Sequence, residues 1–232
     1  MNRDRIIILC EASIFNPGSV QPFPNLNVEY SVYLNSLLIS NWIEILEEKF
    51  TNYEISVLLS KADEEFITGN LIPSAFRLIF YNDLKSNEFW DEVLKETINK
   101  NLKILLLYFN TIGLRGQDIL RSFNLVNQDE ISISVAKSNR NKLIFNCSTA
   151  SETGIIDSFI NANRDYDNYL NLISERDLFI HTLNGFLSID DFEDIKKLYI
   201  ELSKKESLAY CSQKMHESFN DLFIEYKELL NV

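Results

Sequence analysis

The sequence predicts an α/β protein: a mostly parallel three-layer sandwich with a helical extension at its C-terminal end. Short apolar runs alternate with segments of helical period over residues 5–145, as in a sheet whose parallel strands are joined by right-handed crossovers. After residue 154 the period is mainly helical. The chain has 232 residues, 46% of them hydrophobic. A chain of this length buries roughly 70% of its unfolded surface, which is enough for one large core.

Apolar runs predict the strands. Residues 5–10 form an unbroken run rich in β-branched side chains, as expected for a strand that is covered on both faces. Residues 103–109 form the most apolar run, which predicts a central position in the sheet. The other predicted strands are residues 54–59, 76–81, 131–135 and 143–145, and the last two flank a polar turn at residues 137–142.

Apolar residues at steps of three and four predict the helices. The longest, over residues 28–50, places Leu34, Leu38 and Trp42 on one face. The other predicted helices are residues 62–68, 88–101, 116–123, 155–173, 191–204 and 212–230. We expect one domain over residues 1–232, with the sheet core in residues 1–150 and the mainly helical extension in residues 151–232.

Composition and charge exclude several function classes. The 34 acidic and 22 basic residues give a formal charge of −12, which repels the phosphates of nucleic acids and of anionic lipids. No stretch approaches the roughly 20 apolar residues of a membrane helix, and the first apolar run is too short for a signal peptide. We therefore expect a cytoplasmic protein that binds neither nucleic acid nor membrane. Its three widely spaced cysteines fit reduced thiols, and its oligomeric state stays open.

The ligand crevice of an open α/β sheet lies beyond the carboxyl ends of the strands, so we expect ligands to contact residues 11–27, 110–115 and 137–142. The first of these loops has one glycine and no Lys or Arg. Neither G-x-x-x-x-G-K-[ST] nor G-x-G-x-x-G occurs in the chain, so no standard phosphate-binding loop is predicted. No metal site is predicted, because the two histidines belong to different predicted elements. A G-x-S-x-G nucleophile motif is also missing.

Four stretches, at residues 11–23, 108–114, 135–143 and 188–195, follow one another in the order and spacing of the motifs of a known family. In this pattern the chain resembles the GT-A class of nucleotide-diphospho-sugar transferases, in particular the short bacterial GT-A-like glycosyltransferases related to nucleotidyltransferases. The resemblance covers nearly the whole chain and lies in pattern and spacing. It implies a GT-A/Rossmann-like fold and a transferase ancestry.

The first family loop, K-A-P-x-P-G-x-x-K-T-R, handles the nucleotide. The matching residues 11–23 keep Pro17-Gly18 but lose the basic positions of the motif. In place of the basic residues stand Glu11, Ser19, Gln21 and Phe23. The resemblance therefore implies a nucleotide loop without its cations.

The other motifs are kept unequally. Asn110 stands where G-T-D-S-P-D-L has the acid that helps to hold the metal, and residues 135–143 lack the acid and both glycines of P-A-x-D-G-G-Y-Y-L. Residues 188–195 match D-I-D-T-P-E-D-L well, and in them Asp190 and Glu193 also fit a capping box that starts the next helix. A nucleotide-sugar site neutralises pyrophosphate with a carboxylate-bound cation or with Lys and Arg. The residues that would bind metal and pyrophosphate are thus replaced, whereas the patterns that predict strands, helices and the cap of the last motif persist.

Two functions remain open from the sequence. The first is a GT-A-like domain that has lost the usual metal- and pyrophosphate-binding residues and is non-catalytic or binds an altered ligand. Such a domain needs no cofactor and acts through a changed pocket or a protein partner. The alternative is an active glycosyltransferase or nucleotidyltransferase that binds a nucleotide-sugar, with Mg²⁺ or Mn²⁺, through substitute residues. The substitute cations are Arg115, Lys137, Arg140 and Lys142. A different α/β enzyme class would require a nucleophile that the sequence does not show.

The candidate ligand-binding residues are Glu11, Ala12, Ser13, Gly18, Asn110, Thr111, Arg115, Arg140 and Asp190. No residue is assigned a catalytic role.

Overall fold

The computed structural model describes residues 3–67, 71–126 and 132–230, and these form one eight-stranded sheet with helices. The strands are β1 (Arg5–Leu9), β2 (Glu54–Ser60), β3 (Arg77–Tyr81), β4 (Lys103–Tyr108), β5 (Thr111–Ile112), β6 (Ser132–Ser138), β7 (Leu143–Thr149) and β8 (Phe179–Ser188). Their order across the sheet is β3-β2-β1-β4-β7-β6-β8-β5. β1 to β4 run parallel to one another and β6 pairs parallel with β8, whereas β7 and β5 pair antiparallel with their neighbours. The sheet is mostly parallel, as predicted, and curls into a half-barrel.

The helices begin at polar caps. They are α1 (Val28–Lys49), α2 (Asn87–Asn99), α3 (Gly116–Leu125), α4 (Thr153–Asn161), α5 (Tyr166–Ile173), α6 (Phe192–Leu202), α7 (Gln213–Glu225) and α8 (Lys227–Leu230), with 3₁₀ helices at Lys61–Phe66 and Lys205–Ala209. The side chains of Asn27, Ser86 and Ser212 accept hydrogen bonds from first-turn amides of α1, α2 and α7. Within the described residues, none of these helices combines the length and the apolar character needed to cross a bilayer.

Helices cover both faces of the sheet because strand residues alternate between the faces. In β1, Ile6 and Ile8 pack against α1 and α3, whereas Ile7 and Leu9 pack against α2, α4 and α5. β4, the most apolar strand, lies inside the sheet between β1 and β7. A third apolar cluster joins α1 to α6 and α7. The three-layer sandwich with a helical C-terminal extension is thus confirmed.

Most predicted elements agree with the observed ones to within a few residues. Two predictions extend beyond the described part of the chain: the helix at residues 62–68 ends on Thr68, and the strand at residues 131–135 begins on Ile131. Their described parts form a 3₁₀ helix and β6. The single helical segment predicted at residues 155–173 is divided into α4 and α5. Between them Asn163 and Arg164 both take left-handed conformations, with φ of 51° and 62°.

The largest difference from the prediction is β8, a strand of ten residues in the segment expected to be mainly helical. It lies in the sheet between β6 and β5, so the sheet is not confined to residues 1–150 as expected. Polar residues such as His181, Thr182 and Asn184 interrupt its apolar residues. The sequence therefore lacks the apolar run that marks β1 and β4.

β8 carries a bulge. In its register with β6, Ala136 lies opposite Leu183 but Ser138 lies opposite Phe186, so β8 has one extra residue at this point. Gly185, inside the bulge, has φ of 92°, a conformation that residues with a side chain rarely adopt. The bulge changes the direction in which the last residues of β8 point.

Candidate functional site

A cavity of about 160 Å³ lies at the carboxyl ends of β1 and β4, where the sheet topology predicts a ligand crevice. We name it the crevice pocket. Its lining residues are Leu9, Glu11, Ala12, Ser13, Ile14, Gln21, Phe23, Asn35, Tyr108, Phe109, Asn110 and Arg164. The structure thus brings together Glu11, Ala12, Ser13 and Asn110 from the sequence-predicted set, and Asp190 joins them through its contacts with Asn110 and Arg164.

Arg164 is the charged residue of this pocket that sequence reasoning missed. Its Nη1 donates to Asp190 Oδ1 at 2.6 Å, and its Nε lies 3.7 Å from Glu11 Oε2. Its Nη2 donates to Ser188 Oγ, and the guanidinium lies 4.7 Å from the centre of the Tyr108 ring. Arg164 occupies the short turn between α4 and α5 and meets these partners across long sequence separations. No pattern along the chain could have indicated it.

Asn110 stands where the resembled family has a metal-binding acid. Its Nδ2 donates to the Ile189 carbonyl at 2.9 Å and to Asp190 Oδ1 at 3.1 Å. Its buried Oδ1 has no hydrogen-bond partner among the described residues. The two nearby carboxylates, Glu11 and Asp190, both face the Arg164 guanidinium. Both carboxylates are already paired with Arg164, which weakens their attraction for a divalent metal.

The rest of the described chain offers no alternative metal site. Within residues 3–67, 71–126 and 132–230, no three His, Cys, Asp or Glu side chains are grouped so that they could hold an ion. Mg²⁺ or Mn²⁺, which the fold family implies, therefore enters no step considered below.

Burial shifts the pKa values of two residues of the pocket. Burial raises the pKa of the Glu11 carboxyl, and the charge of Asp190 adds to this rise while that of Arg164 opposes it. Burial also raises the pKa of the Tyr108 hydroxyl, which lies near Glu11, well above its usual value. The tyrosine therefore stays protonated at neutral pH. The Tyr108 hydroxyl, Asn110 Oδ1 and Arg164 Nε are buried at this pocket without a hydrogen-bond partner among the described residues.

The loop after β1 is held by a buried carboxylate. Asp63, in the 3₁₀ helix after β2, is fully buried, and Ser13 Oγ donates to its Oδ1 at 2.6 Å. The backbone amides of Ile14, Phe15 and Asn16 donate to the same carboxylate at 3.0, 2.8 and 2.9 Å. Three successive amides that converge in this way form a typical anion-binding nest. Here the anion is part of the protein.

The remaining predicted residues have other roles. Gly18 is exposed in the first loop, where its amide donates to the Asn16 side chain at 2.9 Å. Thr111 is buried in β5. Arg115 starts α3, pairs with Asp118 at 3.1 Å and borders a different, larger cleft. None of these three lines the crevice pocket.

Arg140 and Asp190 both form ion pairs with neighbouring side chains. Arg140 Nη1 bonds Asp191 at 2.6 Å and Asp194 at 3.2 Å, and it borders a neighbouring cavity of about 180 Å³. The predicted cap at Asp190 is wrong by one residue, because Asp191 Oδ1 accepts from the Asp194 amide at 2.9 Å and caps α6. Asp190, one position earlier, is left to bind Arg164.

Solved structures of other proteins share this architecture, although no family of related sequences and no curated protein matches the chain. A provisionally assigned nucleotide-diphospho-sugar transferase of Desulfovibrio desulfuricans G20 is similar over 100% of this chain and 98% of its own, with a TM-score of 0.70 and 12% sequence identity. The chain has the nucleotide-diphospho-sugar transferase fold. The resemblance seen in the sequence is thus confirmed at the level of the fold.

A second solved structure with this fold is that of a provisionally assigned glucose-1-phosphate thymidylyltransferase of Bacillus anthracis, in complex with sucrose. It is similar over 84% of this chain and 93% of its own, with a TM-score of 0.51 and 10% identity. Identities this low show the fold alone.

Proposed function

We propose that this chain is a GT-A-like domain that does not transfer nucleotide-sugars, because its crevice has lost the means to bind a pyrophosphate and a divalent cation. The observation that carries this proposal is the Asp63 carboxylate on the amides of residues 14–16. Loop amides at the carboxyl end of the first strand are where such sheets bind phosphate. A phosphate could use these amides only by displacing a buried carboxylate, which would then repel it.

Charge and size support the same proposal. Glu11, Asp190 and Arg164 together carry a net negative charge, which disfavours a diphosphate. The crevice pocket has a volume of about 160 Å³. Sites that bury a ligand of drug size have roughly 300–1,000 Å³, so the pocket suits a much smaller polar molecule.

A thermal-shift panel of nucleotides and nucleotide-sugars, each with and without Mg²⁺ or Mn²⁺, tests the proposal. A ligand present at 100 times its dissociation constant stabilises a protein by about 2.7 kcal/mol, which for this chain length raises Tm by about 5–10 °C. We expect no shift for any member of the panel. A metal-dependent rise of several degrees with one nucleotide-sugar would overturn the proposal.

A second candidate, the active transferase with substitute donor-binding residues, has one observation in its favour. The buried Nε of Arg164 has no hydrogen-bond partner among the described residues, so this guanidinium has a donor to offer to a phosphate in the crevice. None of the four cations proposed from the sequence lines this pocket; Lys137, for example, lies over the Tyr166 ring.

If this second candidate holds, Arg164→Met abolishes the thermal shift given by the nucleotide-sugar. Arg77→Met, at an exposed arginine of β3, serves as the matched control and leaves the shift unchanged. A shift retained in Arg164→Met would show that the nucleotide-sugar does not bind through Arg164.

A further inference from the structure

The edge of β8 that faces away from β6 is open over most of its length. β8 pairs with β6 from Phe179 to Phe186, whereas on its other side only Leu187 and Ser188 pair, with β5. Among the described residues no strand covers the rest of that side. Unpaired N–H and C=O groups along a strand edge are a template for the addition of another strand.

A cleft of about 830 Å³ runs along this open edge. Residues 180–184 of β8 form one wall, and Arg115 with Asp118, Arg121 and Leu125 of α3 forms another. Gly113, Phe186 and residues 206, 209 and 210, at the second 3₁₀ helix, complete the lining. Side chains of successive strand residues point to opposite faces, so a wall made of five successive residues is the backbone edge itself. We name this space, between residues 180–184 and α3, the edge cleft.

The dimensions of the edge cleft match one extended segment. The ten residues of α3 span about 15 Å at 1.5 Å per residue. An extended chain rises about 3.3 Å per residue, so four or five residues fill that length. The walls are a strand edge and a helix, the arrangement in which a single added strand gains backbone hydrogen bonds on one side and side-chain contacts on the other.

The side chains of the edge cleft indicate what such a segment carries. Arg121 is exposed, and in the part of the chain that the structure describes its guanidinium has no ion pair or hydrogen bond. Arg115, by contrast, is paired with Asp118. Ile180 is 41% exposed on the strand wall, and Leu125 lines the helix wall. Glu206 also lines the cleft, so a complementary segment combines apolar residues with a carboxylate at Arg121 and none at Glu206.

We infer that the edge cleft binds an extended segment of a partner protein, about five residues long, which adds to β8 as a strand and places a carboxylate against Arg121. A second copy of this chain is disfavoured as the occupant. Two chains that each carry a charge of −12 repel each other. The inference does not depend on the state of the crevice pocket.

Selection of a phage-displayed library of random dodecapeptides on the immobilised full chain tests this inference. The most enriched peptide is synthesised with a fluorescent label, its affinity is measured by fluorescence polarisation, and its position is located by amide hydrogen exchange. We expect enriched peptides that contain Asp or Glu among apolar residues, and slower exchange of the amides of residues 180–184 when the peptide binds.

Two charge reversals make the test specific. Arg121→Glu is expected to weaken the affinity by about tenfold or more, because it replaces attraction by repulsion in the α3 wall of the cleft. Arg77→Glu, on β3 at the opposite edge of the sheet, is expected to change it by less than about twofold. Thermal unfolding of both variants verifies that they are folded.

Several outcomes would overturn the inference. The first is that no phage is enriched above the uncoated support. The second is that the peptide slows amide exchange on β3 or elsewhere instead of at residues 180–184. The third is that Arg121→Glu leaves the affinity of the peptide unchanged. If sedimentation shows a dimer whose 180–184 amides are protected without peptide, the occupant is a second copy and the partner segment is rejected.

Discussion

The crevice pocket and the edge cleft differ in how their polar groups are used. At the crevice pocket, Asp63 occupies the amides of the first loop, and Glu11 and Asp190 share Arg164. At the edge cleft, a strand edge and Arg121 have no partner within the described residues. Capacity for a ligand depends on groups that the fold leaves unsatisfied. Among the described residues, the crevice pocket leaves Asn110 Oδ1 and Arg164 Nε without a hydrogen-bond partner, whereas the edge cleft leaves the backbone of a strand edge unpaired.

The largest expected effect on stability comes from replacing Asp63, whose carboxylate accepts the hydrogen bonds of the first loop. Asp63→Ala leaves three buried amides and the Ser13 hydroxyl without their acceptor, so we expect a loss of about 3 kcal/mol in the free energy of unfolding, measured with urea. Glu64→Ala removes a neighbouring exposed carboxylate that pairs with Lys61, and it should cost less than about 0.5 kcal/mol. Equal losses in the two variants would contradict the structural role of Asp63.

The same variant shows whether the Asp63 carboxylate stands in for a ligand anion. If it does, inorganic sulfate or phosphate raises the Tm of Asp63→Ala more than that of the wild type, because the freed amides of residues 14–16 form an anion site. A variant that responds to sulfate no more than the wild type would show that the loop is not an anion nest. The contacts of Asp63 would then no longer support the proposed function.

A smaller loss is expected at the ionic centre of the crevice pocket. Arg164→Met removes the partner of Asp190 and Glu11, whose side chains are only 27% and 35% exposed, so we expect a loss of about 1–2 kcal/mol. Lys204→Met breaks an ion pair of similar length in which both side chains are at least 40% exposed, and it should cost less than about 0.5 kcal/mol. If both variants lose the same free energy of unfolding, the ion pairs of Arg164 stabilise the fold no more than an exposed ion pair does.

The effect of Glu11 is smaller and depends on pH. Its pKa is raised by folding, so the folded state binds this proton more tightly than the unfolded state does. Relative to Glu11→Gln, the wild type should therefore be most stable below about pH 4.5 and should lose that advantage as the pH rises through the raised pKa. Urea unfolding of both proteins between pH 4 and 8 measures the difference, with Glu48→Gln at an exposed site as the control. An advantage that grows with rising pH would contradict the burial of this carboxyl.

The smallest effect on stability is expected in the edge cleft. Ile180→Ser changes a residue that is 41% exposed on the open strand, so the free energy of unfolding should change by less than about 0.5 kcal/mol. Binding of the selected peptide should nevertheless weaken, because the segment loses an apolar contact. A loss of stability without a loss of binding would show that Ile180 supports the fold and not the cleft.

The sequence predicted the parallel half of the sheet because its signal is local. β1 and β4 are buried on both faces, so they are unbroken apolar runs, and this property is visible in five or six adjacent residues. β8 has an open edge and partly exposed faces, so polar residues such as His181 and Thr182 interrupt it and no run marks it. A strand at the margin of a sheet is under weaker compositional constraint than one at its centre.

Within the site, the residues on the first loop and after β4 could be located, because strand ends mark them. Asp63 could not, since an acid in the first turn of a helix has an ordinary local role and its contact with residues 13–16 exists only after β1 and β2 pair. Arg164 could not either, because its function depends on partners from three other elements. Both residues act through contacts that folding creates.

The bulge in β8 has a consequence for both regions. Side chains of β8 alternate between the two faces of the sheet, and after Gly185 this alternation is shifted by one residue relative to the part that ends at Leu183. The extra residue lets Leu183 and Phe186, which are three positions apart, lie on the same face of the sheet opposite Ala136 and Ser138. A single strand thus supplies residues 180–184 to the edge cleft and, after the bulge, the Ser188 hydroxyl that binds Arg164.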